Sequence, residues 1–238
     1  KKVDRTEPVG RAKNLMEEGS FDQLPVHNHG KIIGLIRREN INGVDPQRSV
    51  NEYIDKKVPK VSAVDSLGIL LKSLQADRCV FVIHAGKITG LVHRSDMNKQ
   101  GLRTYIYLWL AASEIGLAEK LKISYRTKED WIGFIGAQSQ EKVNRELAKS
   151  RKSCTDINPF EYADLSDLVN VVKRDKDKKI WSKLGFTEKE WNVKSRALVV
   201  LRHKIMHPVR TLVAKGEDVK KLADCNDFMM KLVSSLLS

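Results

Sequence analysis

The sequence predicts an α+β protein with two parts, an α/β part over residues 1–100 and an all-helical part over residues 101–238. Two observations predict this division. The first hundred residues contain an internal repeat, in which residues 24–40 align without a gap on residues 80–96. After Gly101 the spacing of apolar residues changes from about two, as in strands, to about 3.6, as in helices. The hydrophobic content of 41% is enough for packed cores.

Both copies of the repeat predict the same order of elements. A short helix, over residues 9–18 or 66–75, is followed by a strand, a turn at Gly30 or Gly86 and a second strand, which is typical of a β-hairpin. A polar stretch then opens another helix, and a strand over 58–62 precedes the second hairpin. Because a copy of about 55 residues buries little apolar surface alone, we expect the copies, about 1–50 and 51–100, to pack together.

The second strand of each copy ends in one short motif. It reads Gly34-Leu35-Ile36-Arg37-Arg38-Glu39-Asn40 in the first copy and Gly90-Leu91-Val92-His93-Arg94-Ser95-Asp96 in the second. The spacing of its glycine and its final Asn or Asp is that of the cystathionine β-synthase (CBS) domain, and residues 1–100 resemble a tandem CBS pair. The resemblance implies a pseudo-twofold pair with two clefts, which binds an adenine-containing nucleotide as a regulatory ligand.

The resemblance also implies which residues bind the nucleotide. A motif glycine lets the backbone approach a ligand, and a carboxylate or amide six residues later accepts hydrogen bonds from ribose hydroxyls. Both copies depart from the family pattern at its Thr or Ser position, and a cation there suits a ligand with more phosphate. The predicted nucleotide-binding residues are Gly34, Arg37, Asn40, Gly90, His93 and Asp96. The alternative is a CBS pair that only dimerises, in which Asn40 and Asp96 cap helices.

Apolar stripes at helical spacing predict a bundle in the second part. The stripes run over residues 105–121, 131–147, 165–173, 180–184, 187–205 and 222–236, and residues 151–161 read as a loop. Thr187 and Glu190 form a capping box at the start of one helix.

The informative segment of the second part is residues 201–210. It places two histidines and three cations at the end of an apolar helix, which Pro208 stops near His207. Arg binds phosphate oxygens through a planar fork, and His exchanges protons near neutral pH. This pair suits metal-free RNA cleavage, in which the 2′-hydroxyl attacks the adjacent phosphorus and leaves a 2′,3′-cyclic phosphate.

The run Arg202-His203-Lys204-Ile205-Met206-His207 resembles the nuclease motif of the HEPN superfamily, all-helical domains, over about residues 103–238. The resemblance implies a homodimer in which two motifs share one cleft, and a stress or phage-defence role. It implies Arg202, His207 and His203 as catalytic residues, Lys204 and Arg210 as RNA contacts, and no cofactor for the chemistry. The alternative is a non-catalytic nucleotide-binding regulator, in which Arg202 neutralises Asp164 or Asp167.

Composition narrows the classes of partner and compartment. The net charge of +13 makes a polyanion such as RNA a candidate partner. The longest apolar run, residues 105–112, is far shorter than the roughly 20 residues that cross a bilayer, and the first residues lack a signal-peptide pattern. We therefore expect a cytoplasmic protein without membrane contact. Cys79, Cys154 and Cys225 are expected to be reduced and mostly packed, and His27 and His29 to flank an ordinary turn rather than a metal.

Overall fold

The computed structural model describes residues 1–155 and 157–237. The chain divides into two compact units, Lys1–Asp96 and Met97–Ser238. The first unit combines strands with short helices, and the described residues of the second form helices only. The α+β prediction is confirmed.

The N-terminal unit contains two small sheets of the same topology. In each sheet a parallel pair is extended by an antiparallel hairpin, in the orders β1-β2-β3 and β4-β5-β6. The strands are β1 (Val3–Asp4), β2 (Gln23–Asn28), β3 (Lys31–Arg37), β4 (Lys60–Ser62), β5 (Cys79–His84) and β6 (Lys87–His93). The helices are α1 (Val9–Gly19), α2 (Arg38–Ile41) and α3 (Leu67–Ala76).

The two hairpins turn in the same way. His29 and Gly30 have φ angles of 46° and 78°, and Ala85 and Gly86 have φ angles of 47° and 72°. Two successive residues with positive φ form the type I′ turn that suits the twist of a hairpin. Both hairpins also shift register two residues before the turn region, between Val26 and His27 and at the matching place in the second copy. The repeat therefore predicts the hairpins correctly.

The helix expected after each hairpin is much shorter than the sequence suggests. In the first copy α2 has four residues, and it is followed by Asn42 in an extended conformation and by Gly43 with a φ of 75°. A left-handed glycine ends the helical hydrogen-bond pattern. In the second copy a 3₁₀ turn, Arg94–Asn98, takes the place of the helix and leads to the first long helix of the second unit.

Equivalent residues of the two copies meet in one core. Leu35, Cys79 and Phe81 are buried together, and Leu91 packs against them. Ile32 and Ile88, which occupy the same place in their two copies, pack on the same cluster. Residues that are equivalent in a repeat meet only near an axis relating the copies, so the copies pack as a pseudo-twofold pair.

Among the described residues of the second unit, six α-helices are present. They are α4 (Gln100–Ser124), α5 (Ala137–Lys152), α6 (Leu165–Arg174), α7 (Ile180–Lys183), α8 (Glu188–Met206) and α9 (Gly216–Leu237). The capping box of Thr187 and Glu190 is present at the start of α8, and α8 ends at Met206, immediately before His207 and Pro208, as predicted. Trp131 and Ile135, however, lie outside α5, because Trp131 stacks on Phe160 with 4.0 Å between ring centroids.

The structure also bears on the expectations for membrane-spanning helices, cysteines and His27. Within the described residues, none of the helices combines the length and apolar character that crossing a membrane requires. The three cysteines are free; Cys79 and Cys225 are buried, but Cys154 is exposed rather than packed. His27 Nδ1 lies 3.3 Å from a carboxylate oxygen of Asp4.

Candidate functional site

The end of α8 gathers the residues of the predicted Arg–His motif. The rings of His203 and His207 meet edge to face, with 4.6 Å between centroids, because residues four apart lie on one face of a helix. Both imidazoles are exposed, and Arg202, which directly precedes His203 in the chain, is half-buried. The structure therefore brings three of the predicted residues to one accessible helix end.

A tight turn after α8 returns Arg210 to the same place. The Arg210 backbone N–H donates to the His207 carbonyl at 2.9 Å, and Pro208 occupies the second position of this turn, where its fixed φ is favourable. The positive charge of Arg210 is the largest cause that lowers the pKa of His203, followed by desolvation and by His207 and Arg202. His203 is therefore held in its neutral form down to lower pH than an ordinary histidine.

Arg202 has a carboxylate neighbour that the sequence does not indicate. Its Nη2 lies 3.6 Å from Glu114 Oε1 on α4. Asp164, one of the two expected partners, caps α6 by accepting from the backbone N–H groups of Ser166 and Asp167. Burial would raise the pKa of Asp164, but its hydrogen bonds with Ser166 and Asp167 and the charge of Arg202 lower it. Glu114 is separated from Arg202 by most of the unit's sequence, so only the packing of α4 on α8 reveals the pair.

Arg103 and Asn98 are further polar residues that the sequence analysis missed. Arg103 is 5% exposed, and its guanidinium donates to the backbone carbonyls of Lys204 and Arg210. The Asn98 side chain bonds the backbone of Leu212 and Val213. The sequence does contain an indication for Arg103. It lies at helical spacing from Ile106 and Leu110, on the buried face of α4, where a charged residue is unusual.

In the N-terminal unit, the first motif glycine packs against the chain itself. Leu35 exchanges two backbone hydrogen bonds with Asp55, at 2.9 and 2.7 Å. A Cβ added at Gly34 would lie 2.5 Å from the Asp55 carbonyl oxygen and 2.5 Å from Ile54 Cγ2. The absence of a side chain at Gly34 thus admits the linker, the segment between α2 and β4, and the linker covers the first motif at this point.

The second motif glycine has no such cover. A Cβ added at Gly90 would meet only the Val82 side chain, at an ordinary 3.6 Å. Gly90 instead lines a cavity of about 430 Å³ whose walls include Pro25, Phe81 and Ile88. The two motifs are alike in sequence, but the chain itself covers the glycine of the first motif, whereas the glycine of the second faces a cavity.

Arg37 lies in a charged network between the copies. It is 7% exposed, its Nε donates to Asp55 at 3.0 Å, and its Nη2 donates to both carboxylate oxygens of Asp77, at 3.0 and 2.8 Å. Burial would raise the pKa of Asp77, but the hydrogen bonds and charge of Arg37 outweigh it, so this pKa lies below its usual value. Arg37 is therefore already engaged by two carboxylates.

Arg37 and His93 nevertheless line one cavity, of about 510 Å³. The charged side chains that line it, besides His93, are the cations Lys13, Arg37, Arg38 and Arg78 and the anions Glu17, Asp22 and Glu39. His93 Nδ1 is 2.9 Å from the Ser95 hydroxyl, and Asp96 accepts from the His93 backbone N–H at 2.7 Å, as in the capping alternative. Asn40 is exposed in α2. The predicted nucleotide residues are thus distributed over more than one surface.

The N-terminal unit matches a known domain. Residues 1–44 match the family model of the CBS domain. Residues 1–44 therefore correspond to a CBS domain. This match confirms the CBS resemblance for residues 1–44, whereas the tandem pair over residues 1–100 and the HEPN domain stay predictions. No curated protein matches the sequence.

Solved structures of CBS domains resemble part of the chain. The CBS domains of a transcriptional regulator from Streptococcus pneumoniae are 18% identical, cover 41% of this chain and 87% of that chain, and give a TM-score of 0.38. A hemolysin-like protein of Oenococcus oeni that contains a CBS domain is 19% identical. The match covers 41% of this chain and 77% of that chain, with a TM-score of 0.37. The CBS domain of a bacterial CNNM/CorC family Mg²⁺ transporter, solved in complex with ATP, is 19% identical. The match covers 40% of this chain and 74% of that chain, with a TM-score of 0.37.

Proposed function

We propose that the chain is a metal-independent endoribonuclease regulated by an adenine-containing nucleotide. The observation that carries the catalytic half is the convergence of Arg202, His203, His207 and Arg210 at one exposed helix end. A cationic fork beside an imidazole pair holds a phosphodiester and moves protons at both of its oxygens. In this proposal Lys204 and Arg210 contact the RNA backbone, which positions RNA without selecting its sequence.

Each group has a role that follows from its place. Arg202 binds the scissile phosphate and stabilises the charge that grows on its non-bridging oxygens. His207 takes part in proton transfer, and His203, held neutral by the surrounding cations, orients its ring through their edge-to-face contact. The 2′-oxygen loses its proton and forms a bond to phosphorus as the bond to the 5′-oxygen breaks, the 5′-oxygen takes up a proton, and His207 takes part in this proton transfer.

A homodimer completes the proposed site. Leu108 and Ile115 are 62% and 64% exposed, and they lie seven positions apart, so they share one face of α4. Glu114, the neighbour of Arg202, belongs to the same helix, although its side chain points about 100° around it from Ile115. The exposed apolar face of α4 supports a twofold dimer in which two motifs share a cleft.

The product ends of the reaction test the catalytic proposal. With a single-stranded RNA panel, we expect cleavage that leaves 2′,3′-cyclic phosphate and 5′-hydroxyl ends and persists in EDTA. Mass spectrometry of the fragments identifies the ends. Cleavage that EDTA abolishes, or 5′-phosphate products, would contradict this mechanism. Saturable RNA binding without cleavage would favour the non-catalytic alternative, for which the pairing of Arg202 with Glu114 is the supporting observation.

The regulatory half rests on the CBS match and on the cavity beside Arg37 and His93. We place the nucleotide phosphates against Arg78 rather than Arg37. Arg78 pairs with Glu39 at the surface, where both side chains are about half exposed, and such pairs contribute at most about 1 kcal/mol. A phosphate therefore displaces Glu39 from Arg78 at little cost, whereas Arg37 is held by two carboxylates.

Binding of ATP tests this placement. We expect Arg78→Ala to weaken ATP binding about tenfold, the effect of losing one charge-assisted hydrogen bond. Isothermal titration measures it. Lys31→Ala is the matched control, because Lys31 is an exposed cation of the same unit that lines a different cavity, at the hairpin turns. If Lys31→Ala weakens binding and Arg78→Ala does not, the nucleotide lies at the hairpin turns, and the placement is wrong.

A further inference from the structure

We propose that Asn98 and Arg103 are positioning residues that clamp the segment after α8, and that the clamp links the second nucleotide motif to the His207 site. The inference rests on the proposed ribonuclease function for its catalytic consequence. Its structural part, the clamp itself, stands on contacts within the second unit.

The first half of the clamp is one amide side chain. Asn98 Oδ1 accepts from the backbone N–H groups of Leu212 and Val213, at 2.8 and 3.0 Å, and Asn98 Nδ2 donates to the Val213 carbonyl at 2.8 Å. Three hydrogen bonds from one side chain imitate the pairing of a neighbouring strand and hold the backbone at Leu212–Val213 in one conformation. The side chains of both residues are buried, which anchors this end of the segment.

The second half is a buried cation. Arg103 donates from Nη1 to the Lys204 carbonyl at 3.1 Å and from Nη2 to the Arg210 carbonyl. The last carbonyls of a helix have no partner within it and carry partial negative charge. The Lys204 carbonyl belongs to the last turn of α8, so Arg103 caps this helix and ties the turn at Arg210 to it.

These contacts fix the backbone on both sides of His207. Lys204 precedes it by three residues and Arg210 follows it by three, and one guanidinium holds both carbonyls. The His207 carbonyl itself accepts from the Arg210 N–H, which closes the turn. Loss of the clamp therefore frees His207 and Arg210 to move away from His203 without removing any group that touches RNA.

The chain connects this clamp to the nucleotide motif. The motif ends at Asp96, and Asn98 follows two residues later in the same 3₁₀ turn, Arg94–Asn98. A ligand that changes the conformation of this turn changes the position of the Asn98 amide. The physical requirement is a nucleotide that binds the two conformations of the turn with different affinity. We infer that the position of the His207 segment depends on which of these conformations is bound.

Amide hydrogen exchange tests the clamp directly, without RNA. The N–H groups of Leu212 and Val213 donate to Asn98 Oδ1, so we expect Asn98→Ala to accelerate their exchange about tenfold or more. Asn98→Asp keeps the acceptor oxygen but replaces the donor to the Val213 carbonyl with a second acceptor, so its exchange should lie between the native rate and that of Asn98→Ala. Gln100→Ala is the matched control, because Gln100 is exposed two residues away. Unchanged exchange in Asn98→Ala would overturn the clamp.

Kinetics test its catalytic consequence. We expect Asn98→Ala and Arg103→Met to lower kcat for RNA cleavage about tenfold with little change in KM, and to remove the response to nucleotide. Arg103→Lys should recover part of kcat, and Thr104→Ala, an exposed neighbour, should have no effect. If exchange rises and kcat stays native, the residues hold the segment but do not position the site. If wild type and His207→Ala do not differ, the ribonuclease proposal fails, and exchange alone still decides whether the clamp exists.

Discussion

His207→Ala is expected to slow RNA cleavage about a thousandfold, and Arg202→Ala about a hundredfold or more, because each removes a group that acts only as the transition state forms. Both side chains are accessible at the end of α8, so their replacement leaves the core of the second unit intact. The measurement is single-turnover cleavage of a labelled single-stranded RNA. Circular dichroism and the unfolding midpoint of each variant should stay native.

The matched control is Arg196→Ala. Arg196 is an exposed cation on the same helix, lining the groove between α8 and α9. Its loss lowers the net charge as Arg202→Ala does, so it separates a general electrostatic effect on RNA binding from the loss of a catalytic group. A native cleavage rate in His207→Ala would exclude the assigned site. Equal losses of cleavage rate in Arg196→Ala and Arg202→Ala would mean that Arg202 contributes only its positive charge and no specific catalytic contact.

The pH profile gives a second readout of the same site. The pKa of His203 is lowered mainly by Arg210, so its imidazole stays neutral at pH values where an ordinary histidine, near 6.5, is already protonated. If cleavage requires neutral His203, activity extends below that pH in the wild type. Arg210→Ala removes the largest cause of the shift, and the acidic limb of its profile should move to higher pH. A limb that does not move excludes a titrating role for His203.

Gly34→Ala and Gly90→Ala, the same substitution at equivalent places of the repeat, are expected to have very unequal effects on stability. At Gly34 the new Cβ would lie 2.5 Å from the Asp55 carbonyl oxygen, which is backbone and cannot rotate away. The bridge between Leu35 and Asp55 must open, and we expect a loss of about 3 kcal/mol in the free energy of unfolding. At Gly90 the nearest atom is a Val82 side-chain carbon at 3.6 Å, so alanine fits.

Gly90→Ala should therefore change stability by less than about 1 kcal/mol, with a gain possible because alanine lowers the entropy of the unfolded chain. Urea unfolding of the full chain, followed by circular dichroism, compares the two variants. Each glycine is the other's control, since residue type, strand position and motif are the same. Equal midpoints for the two variants would mean that the linker does not cover the first motif in solution.

The repeat explains how far the N-terminal fold can be predicted. Gly30 and Gly86 recur with Lys31 and Lys87 after them, and turn chemistry is local, so the hairpins follow from neighbouring residues alone. The short helix α2 was not predicted well, because Gly43 lies outside the aligned segment. The cover on Gly34 had no signal either, since Ile54 and Asp55 belong to the linker and have no counterpart in the aligned repeat.

The predicted sites, like the fold, could be predicted only where the interacting residues are close in sequence. The residues of the Arg–His motif come together because they share one helix and its following turn, and their spacing in sequence fixes their spacing in space. Arg37 was predicted to contact phosphate from its position in the motif, and its structural partners, Asp55 and Asp77, are 18 and 40 residues away. A single sequence contains no rule for such pairings.

The sequence by itself determined the elements whose causes are local: the two hairpins, the capping box of α8, its end before Pro208, and the convergence of His203 with His207. Only the tertiary structure decided which motif is open, where Arg37 and Arg202 find carboxylates, and that Asn98 and Arg103 hold the segment beside His207. The reason is physical. Turns and caps depend on backbone geometry within a few residues, whereas buried polar groups take whichever partners packing brings near, however distant in the chain.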